Sequence, residues 1–334
     1  MFWSWGKYMA NIVITEKCNL ACPYCFADEF VHKASNEISL ENFKKALLFI
    51  ESSKSFGNFI GLIGGEPTLH SKFSELLEFV DFDNQLKEVL IFTNGIRINE
   101  TFSITSQPKF TFLINLNSPQ IIGSSNYFKI MQNIDSLISK YDKNHSLTLG
   151  LNLYTLDLDY TFFVETLERF KLKSARLSIT VPNLTNGNSG IDKVAAFKPL
   201  IYKLYVDLLY RGIHTVFDCN KIPPCLWSDK ELLKISLFQA NNTNERIGFN
   251  LTTNKCNPVI DILPDLTAIR CFGLSGISKV KIDDFSTLDD LYLYYFDNFD
   301  KELAQVPTRK VCNSCELFLN NSCYSGCLAN KIQV

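Results

Sequence analysis

The sequence predicts an α/β protein: strand–helix units that build a parallel sheet, followed by a smaller cysteine-rich region of mixed helix and strand. Three observations predict it. Between about residues 10 and 212, short apolar runs alternate with segments of helical periodicity, the pattern of parallel strands joined by crossover helices. Each apolar run is of the kind buried on both faces. The eleven cysteines avoid the middle of the chain: three lie near the N-terminus, none falls between Ala27 and Asp218, and eight lie from Cys219 onward.

The first strand is expected over residues 11–15. A helix follows, with Ser39 as N-cap and Leu40, Phe43, Leu47 and Ile50 at helical spacing. A second strand, 59–63, precedes another helical set, Phe73, Leu76, Leu77 and Val80, with Ser71 ahead of it as the capping residue. Strands at 89–92 and 110–116 flank the weakest helical segment, 97–105. Ile130, Ile134, Leu137 and Ile138 mark a helix before the strand at 147–153. Phe163, Leu167 and Phe170 mark one before the strand at 175–181. The last helix of this region follows Pro199 through Leu204, Tyr205, Leu208 and Leu209 and stops at Gly212, proline early and glycine late. Residues 183–190, rich in Asn, Gly and Ser, read as a surface loop.

Composition excludes several classes of function. Lys plus Arg number 33 against 35 Asp plus Glu, so no strong field draws nucleic acid or a membrane. No apolar run is long enough for a membrane span, and no secretory signal is present. The aromatic start, Met1-Phe2-Trp3-Ser4-Trp5, reads as a packed lid. Cysteines in a chain without a secretion signal, grouped as these are, favour metal ligation over disulfides and a cytoplasmic iron–sulfur protein.

Cys18-x3-Cys22-x2-Cys25 sits at the end of the first strand, and the second strand ends in Gly64-Gly65-Glu66-Pro67. Three close thiolates ligate three irons of a four-iron cluster and leave the fourth open to a ligand that is not protein. The glycine turn offers bare backbone and one carboxylate nearby, suited to a small zwitterion. The rival readings are a structural zinc site with a remote fourth ligand and a set of unrelated buried thiols. A zinc ribbon offers paired CxxC knuckles, and this triplet has none.

On these residues the chain resembles the radical S-adenosylmethionine (SAM) superfamily. The resemblance implies a [4Fe–4S] cluster on Cys18, Cys22 and Cys25 whose open iron takes the amino and carboxylate groups of SAM. Gly64, Gly65, Glu66 and Pro67 would hold the amino group, with Tyr24 wedged before the third cysteine. It also implies a partial (β/α)6 TIM-type barrel, in agreement with the six strands counted. Chemistry in barrels sits at the C-terminal strand ends. Thr93-Asn94-Gly95, Asn117 and Asn152 all lie at such ends. Thr93 and Asn94 suit a SAM pocket or a plain Asn-Gly turn; Asn117 and Asn152 suit contacts to SAM or loop caps. Phe26 reads as packing around the cluster.

Beyond residue 212 the pattern changes, so the barrel is assigned to 1–212 and a small α+β domain to 213–334. Residues 260–271 read as a hairpin turning at Pro264-Asp265, preceded by Cys256 and closed by Cys271; Leu288, Leu291, Tyr295, Phe299 and Leu303 suggest a helix. Cys312-x2-Cys315-x7-Cys323-x3-Cys327 follows. The segment from Cys256 to Cys327 resembles the SPASM domain, which carries two auxiliary [4Fe–4S] clusters. The resemblance implies one cluster on Cys256, Cys271 and Cys327 and another on Cys312, Cys315 and Cys323. Two features depart from it: Leu266 stands where the family has a glycine, and no cysteine follows Cys327. Cys219 and Cys225 could each complete one cluster. Either could instead be a hydrogen-atom donor or a buried apolar residue, and zinc on Cys312 to Cys327 is a further rival. Residues 213–255 match no motif.

The resemblance implies an oxidoreductase-type enzyme. The cluster passes an electron to SAM, giving methionine and a 5′-deoxyadenosyl radical that takes hydrogen from the substrate. Peptide maturation is the first substrate class, as thioether or carbon–carbon crosslinking or epimerisation of a ribosomally made peptide (a RiPP). Sulfatase maturation is disfavoured because Phe272-Gly273 follow the hairpin cysteine. A small-molecule oxidoreductase in cofactor or natural-product biosynthesis is the alternative, and a non-enzymatic iron–sulfur carrier or sensor a minor one. The expected reductant is a flavodoxin or ferredoxin. The first strand begins too early for an N-terminal leader-binding domain, so either a separate leader-peptide recognition protein supplies one, the peptide binds unaided, or the substrate is small.

Overall fold

The computed structural model describes residues 9–27, 30–31, 36–55, 57–101, 108–140, 147–180, 190–217, 220–234, 255–256 and 259–332. By its internal contacts the chain forms two compact units, Met1–Thr148 with Pro258–Phe296, and Leu149–Asn257 with Asp297–Val334.

In the first unit, β1 (Met9–Thr15), β2 (Phe59–Gly64), β3 (Glu88–Thr93) and β4 (Phe110–Asn115) pair in parallel in that order. The helices α1 (Leu40–Glu51) and α2 (Phe73–Phe82) are the crossovers of the first two steps, and the short α3 (Pro119–Ile122) and the longer α4 (Ser124–Lys140) follow β4. Alternate strand positions, Ile12, Ile14, Ile60, Leu62, Val89 and Ile91, form one fully buried face. The inward stripes of the helices are Phe43, Ala46, Leu47 and Ile50 on α1 and Phe73, Leu76, Leu77 and Val80 on α2. Ser39 caps α1 as expected, its Oγ accepting from Asn42 N at 3.1 Å. Ser71 does not cap α2. Lys72 occupies that position without a side-chain bond, and Ser71 Oγ instead donates to Glu37 at 2.6 Å. A carboxylate within reach is a stronger acceptor for a hydroxyl than one helix amide is a donor to it. Between β3 and β4 the described residues hold only a 3-10 turn, Ile98–Thr101, where a weak helix was expected.

The same unit contains the expected hairpin, β8 (Val259–Ile262) with β9 (Thr267–Ile269), and the short β10 (Val280–Lys281). Sequence did not foretell that β8 lies parallel to β1, with Asn11 opposite Asp261. Asn11 Nδ2 donates to Asp261 Oδ1 at 2.7 Å. At the hairpin turn, Leu266 N donates to Leu263 O at 2.9 Å and Leu263 N to Thr267 O at 2.8 Å. Leu266 has φ +64°, so it holds the left-handed bulge position that a glycine ordinarily fills, at a cost of about 1–2 kcal/mol. The substitution noted in the sequence leaves the backbone shape intact. The helix expected from Leu288 begins as α8 (Leu288–Tyr295), closed by a Thr287–Asp290 capping box.

In the second unit, β5 (Leu147–Leu153), β6 (Ser174–Ile179) and β7 (His214–Phe217) pair in parallel. The crossovers are α5 (Thr161–Arg169) and the pair α6 (Gly190–Ala196) and α7 (Lys198–Tyr210). Pro199 opens α7, and Gly212, at φ +64°, turns the chain out of it. β7 is a seventh parallel strand beyond the six counted in the sequence; at four residues it is too short to show alternation. Through β6 the element order is that of a partial (β/α)6 TIM-type barrel. Past residue 297 the unit is built of single turns, among them Lys310–Ser314, Glu316–Leu319 and Leu328–Lys331.

Candidate cofactor site

In the first unit, β1 ends at Thr15 and the chain runs into the three cysteines, while β2 ends in the glycine pair. These two ends are sewn together by backbone. Gly65 N donates to Thr15 O at 2.8 Å and Glu66 N to Lys17 O at 2.7 Å. A Cβ at Gly64 would stand 2.4 Å from Thr15 O; one at Gly65 would stand 2.3 Å from Lys17 O and 3.0 Å from Cys18 Cβ. The glycines are therefore required by the approach of the cysteine loop itself.

Glu66 is buried and holds a second seam. Its Oε1 accepts from Thr68 Oγ1 and Thr93 Oγ1, both at 2.7 Å, and from Thr68 N at 3.2 Å; Oε2 accepts from Asn94 N at 2.7 Å. The carboxyl fastens the Thr93-Asn94-Gly95 turn after β3 to the turn after β2. Burial raises its pKa, and the bonds from Asn94, Thr68 and Thr93 oppose the rise. Asn94 Nδ2 reaches Asn19 Oδ1, inside the cysteine loop, at 2.7 Å. From α4 (Ser124–Lys140), buried Asn133 donates to Gly95 O at 2.8 Å and Ile96 O at 3.0 Å. Asn19, Thr68 and Asn133 were not singled out from the sequence. An amide on the buried stripe between Ile130 and Ile134 was the available signal for Asn133.

Tyr24 and Asn117 attend Cys22. Tyr24 OH donates to Asn117 Oδ1 at 2.5 Å, and Asn117 Nδ2 approaches Cys22 Sγ at 3.8 Å. Phe26, half exposed, meets the Phe272 ring edge-on, centroids 5.0 Å apart, and Phe30 meets it at 5.9 Å. Asn152 lies in the second unit and accepts from Arg176 Nη1 at 2.8 Å.

All three N-terminal thiols are part-buried. Burial lifts the Cys18 thiol to about 11; the Leu20 amide opposes this, and Glu66, Cys22 and Cys25 add to it. Cys22 is likewise raised by burial, against its bond from Tyr24. Among the described residues, no three His, Cys, Asp or Glu side chains close to the spacing of a single metal ion. A four-iron cluster is a wider guest, because each thiolate takes a different iron. Three part-buried thiols, two of them raised by burial, suit a group whose irons would supply the positive charge that thiolates need.

In the second unit, Cys312 Sγ lies 3.1 Å from Ser325 Oγ, and Ser325 N donates to Cys323 Sγ at 3.3 Å. Burial raises Cys323, the Ser325 amide opposes it, and Cys225, Cys312 and Cys315 add to it. Cys225 is raised by partial burial and by Cys312, against Arg309, and further by Cys315. Cys225 thus shares the neighbourhood of three predicted ligands. Cys256 and Cys327 belong to this unit too, whereas Cys271 belongs to the first. Cys219 and residues 183–189 lie outside the described residues.

The fold and site define an α/β protein with a thiol-rich loop at the C-terminal end of its first strand. Residues 12–157 match the Radical SAM superfamily. An S-adenosylmethionine-dependent nucleotide dehydratase from Selenomonas ruminantium is 39% identical over 90 residues, 26% of this chain and 30% of that protein. A GTP 3′,8-cyclase from Haemophilus influenzae is 27% identical over 136 residues, 38% of this chain and 40% of the cyclase. The chain thus spans less than half the length of these curated relatives. Streptococcus suis SuiB, solved with S-adenosylmethionine, shares the fold: TM-score 0.65 at 15% identity, over 97% of this chain and 74% of SuiB. SuiB with its precursor peptide SuiA gives a TM-score of 0.66 over 97% and 72%. Among the described residues no helix is long and apolar enough to cross a membrane.

Proposed function

We propose that this protein is a radical SAM enzyme of the oxidoreductase type that modifies a peptide, with Cys18, Cys22 and Cys25 holding the SAM-cleaving [4Fe–4S] cluster. The observation that carries this reading is the backbone seam joining the cysteine loop to Gly64-Gly65-Glu66, which fixes the thiols close against the glycine turn. The bound cluster and SAM supply one-electron reductive cleavage and a radical able to take hydrogen from an unactivated carbon. The chain's own residues bind and orient. Gly64 and Gly65 present bare backbone to the amino group. Glu66 Oε2, which accepts one bond from Asn94, keeps a lone pair for the same group. Asn117 and Tyr24 set Cys22, and Thr93 locks Glu66.

The C-terminal cysteines then form a SPASM-like auxiliary region within the proposed 213–334 domain. Cys312, Cys315 and Cys323 take one cluster with Cys225, whose neighbourhood favours ligation over hydrogen donation; Cys256 and Cys327 remain for the other, with Cys219 open as a further ligand. The peptide substrate rests on the likeness to SuiB, whose partner is a precursor peptide. The nucleotide-acting relatives favour the alternative, a small-molecule substrate. A flavodoxin or ferredoxin is the proposed reductant, and a leader-binding protein a proposed partner.

The test is anaerobic incubation of cluster-loaded protein with SAM and dithionite. Methionine and 5′-deoxyadenosine should form, and short candidate peptides, not nucleotides, should raise their yield. No cleavage by protein loaded with iron would refute the enzyme reading; stimulation by nucleotides alone would refute the peptide.

A further inference from the structure

Lys331 ends the turn that Cys327 begins, and it is only 6% exposed. Its Nζ donates to Leu303 O at 2.8 Å and stands 5.9 Å from the centre of the Phe318 ring. That wall belongs to the cysteine loops: Phe318 N donates to Cys315 O at 3.0 Å, and Cys323 N donates to Leu317 O at 2.8 Å. No carboxylate among the described residues bridges to Lys331. Burial pulls the ammonium down to about 8, and negative charge on Cys323, Cys312, Cys327 and Cys256 would oppose that fall. An ammonium this deep, with no carboxylate bridging it among the described residues, is expensive unless negative charge stands near it. Neutral thiols supply none. Thiolate-ligated iron–sulfur clusters are anionic, and their potentials respond to local charge and burial.

We propose that Lys331 is the buried counter-charge of the auxiliary iron–sulfur centres, a positioning residue that raises the reduction potential of at least one of them. The inference rests on the reading of the C-terminal cysteines as cluster ligands. Its physical content is simple: adding an electron to an anionic centre costs less beside a fixed cation. Four of the proposed cluster ligands act on this one ammonium, two from each predicted set.

The test uses full-length protein reconstituted without oxygen, as Lys331→Gln, Lys331→Arg and the unaltered chain. Gln keeps a donor for Leu303 O while losing the charge, and Arg keeps the charge. Iron content and the midpoint potentials of the auxiliary clusters are measured by redox titration followed by electron paramagnetic resonance. Lys331→Gln should shift one auxiliary reduction equilibrium about tenfold toward the oxidised form, or ~59 mV for one electron, while Lys331→Arg stays near the unaltered protein. Full iron loading with an unmoved potential in Lys331→Gln would overturn the inference alone. Should Gln fail to load, a potential in Lys331→Arg lowered by that same tenfold would overturn it, and one left in place would support it. About four irons in the unaltered protein, instead of about twelve, would remove the auxiliary clusters and the reading beneath the inference.

Discussion

The two cysteine groups of this chain stand in opposite electrostatic company. The N-terminal three follow one strand directly, are held by backbone bonds to the next, and have the buried carboxyl of Glu66 acting on Cys18. The C-terminal group is spread over single turns, held by bonds to Ser325, and shares its surroundings with the buried ammonium of Lys331. A negative neighbour disfavours electron uptake and a positive one favours it. With clusters bound as proposed, the N-terminal set would be the harder to reduce and the C-terminal set the easier. The difference teaches that cysteine spacing identifies a ligand set, while the nearest buried charge tells what the set is tuned to do.

Three experiments break or sharpen this contrast. The largest effect belongs to Cys18→Ala, Cys22→Ala and Cys25→Ala made together. Iron in the reconstituted protein should fall from about twelve to about eight per chain, with the signals of the C-terminal centres unchanged. A fall from about four to none would leave nothing to contrast.

Next comes Glu66→Ala. The Thr68 and Asn94 amides and the Thr93 hydroxyl would lose a buried acceptor, each unsatisfied donor costing about 1–3 kcal/mol. Urea unfolding should show a loss of at least that size, because the seam between the β2 and β3 turns opens. A change of a few tenths would mean that these donors find other partners and that Glu66 is not what frames the N-terminal group.

The smallest effect concerns a carboxyl of the same unit that touches no cysteine. Burial, and then the neighbouring Asp83, lift Glu51 to about 7. A raised acid binds its proton more tightly when folded. Its contribution to stability is complete below the unfolded value near pH 4.5 and is lost as pH rises through about 7. Glu51→Gln should flatten the pH dependence of the urea midpoint between pH 5 and 7. An unchanged slope would show that Glu51 does not titrate in that window.

The six barrel strands, their crossover helices and the hairpin were legible because each is an apolar run or stripe bounded by a cap or turn residue. The cysteine triplet and the glycine turn were legible because their chemistry dictates spacing. What escaped depends on distant partners. Ser71 is a good capping residue that found Glu37 instead. β7 is too short to carry a period. Asn19, Thr68 and Asn133 do their work through neighbours up to 75 residues away, as with Asn19 and Asn94. Lys331 looks like an ordinary tail lysine until its burial is seen.

The pairing of β8 with β1 has a consequence for how the chain comes into being. The two strands that flank β1 are separated by most of the sequence, and the bond from Asn11 to Asp261 spans 250 residues. At roughly 5–20 residues per second, a ribosome needs about 10–50 s to bring β8 out after β1 has emerged. For all that time one edge of an apolar strand stands open, the condition under which edges recruit other chains. Synthesis of this protein should therefore depend on chaperones early, and the dependence should end only when the hairpin arrives.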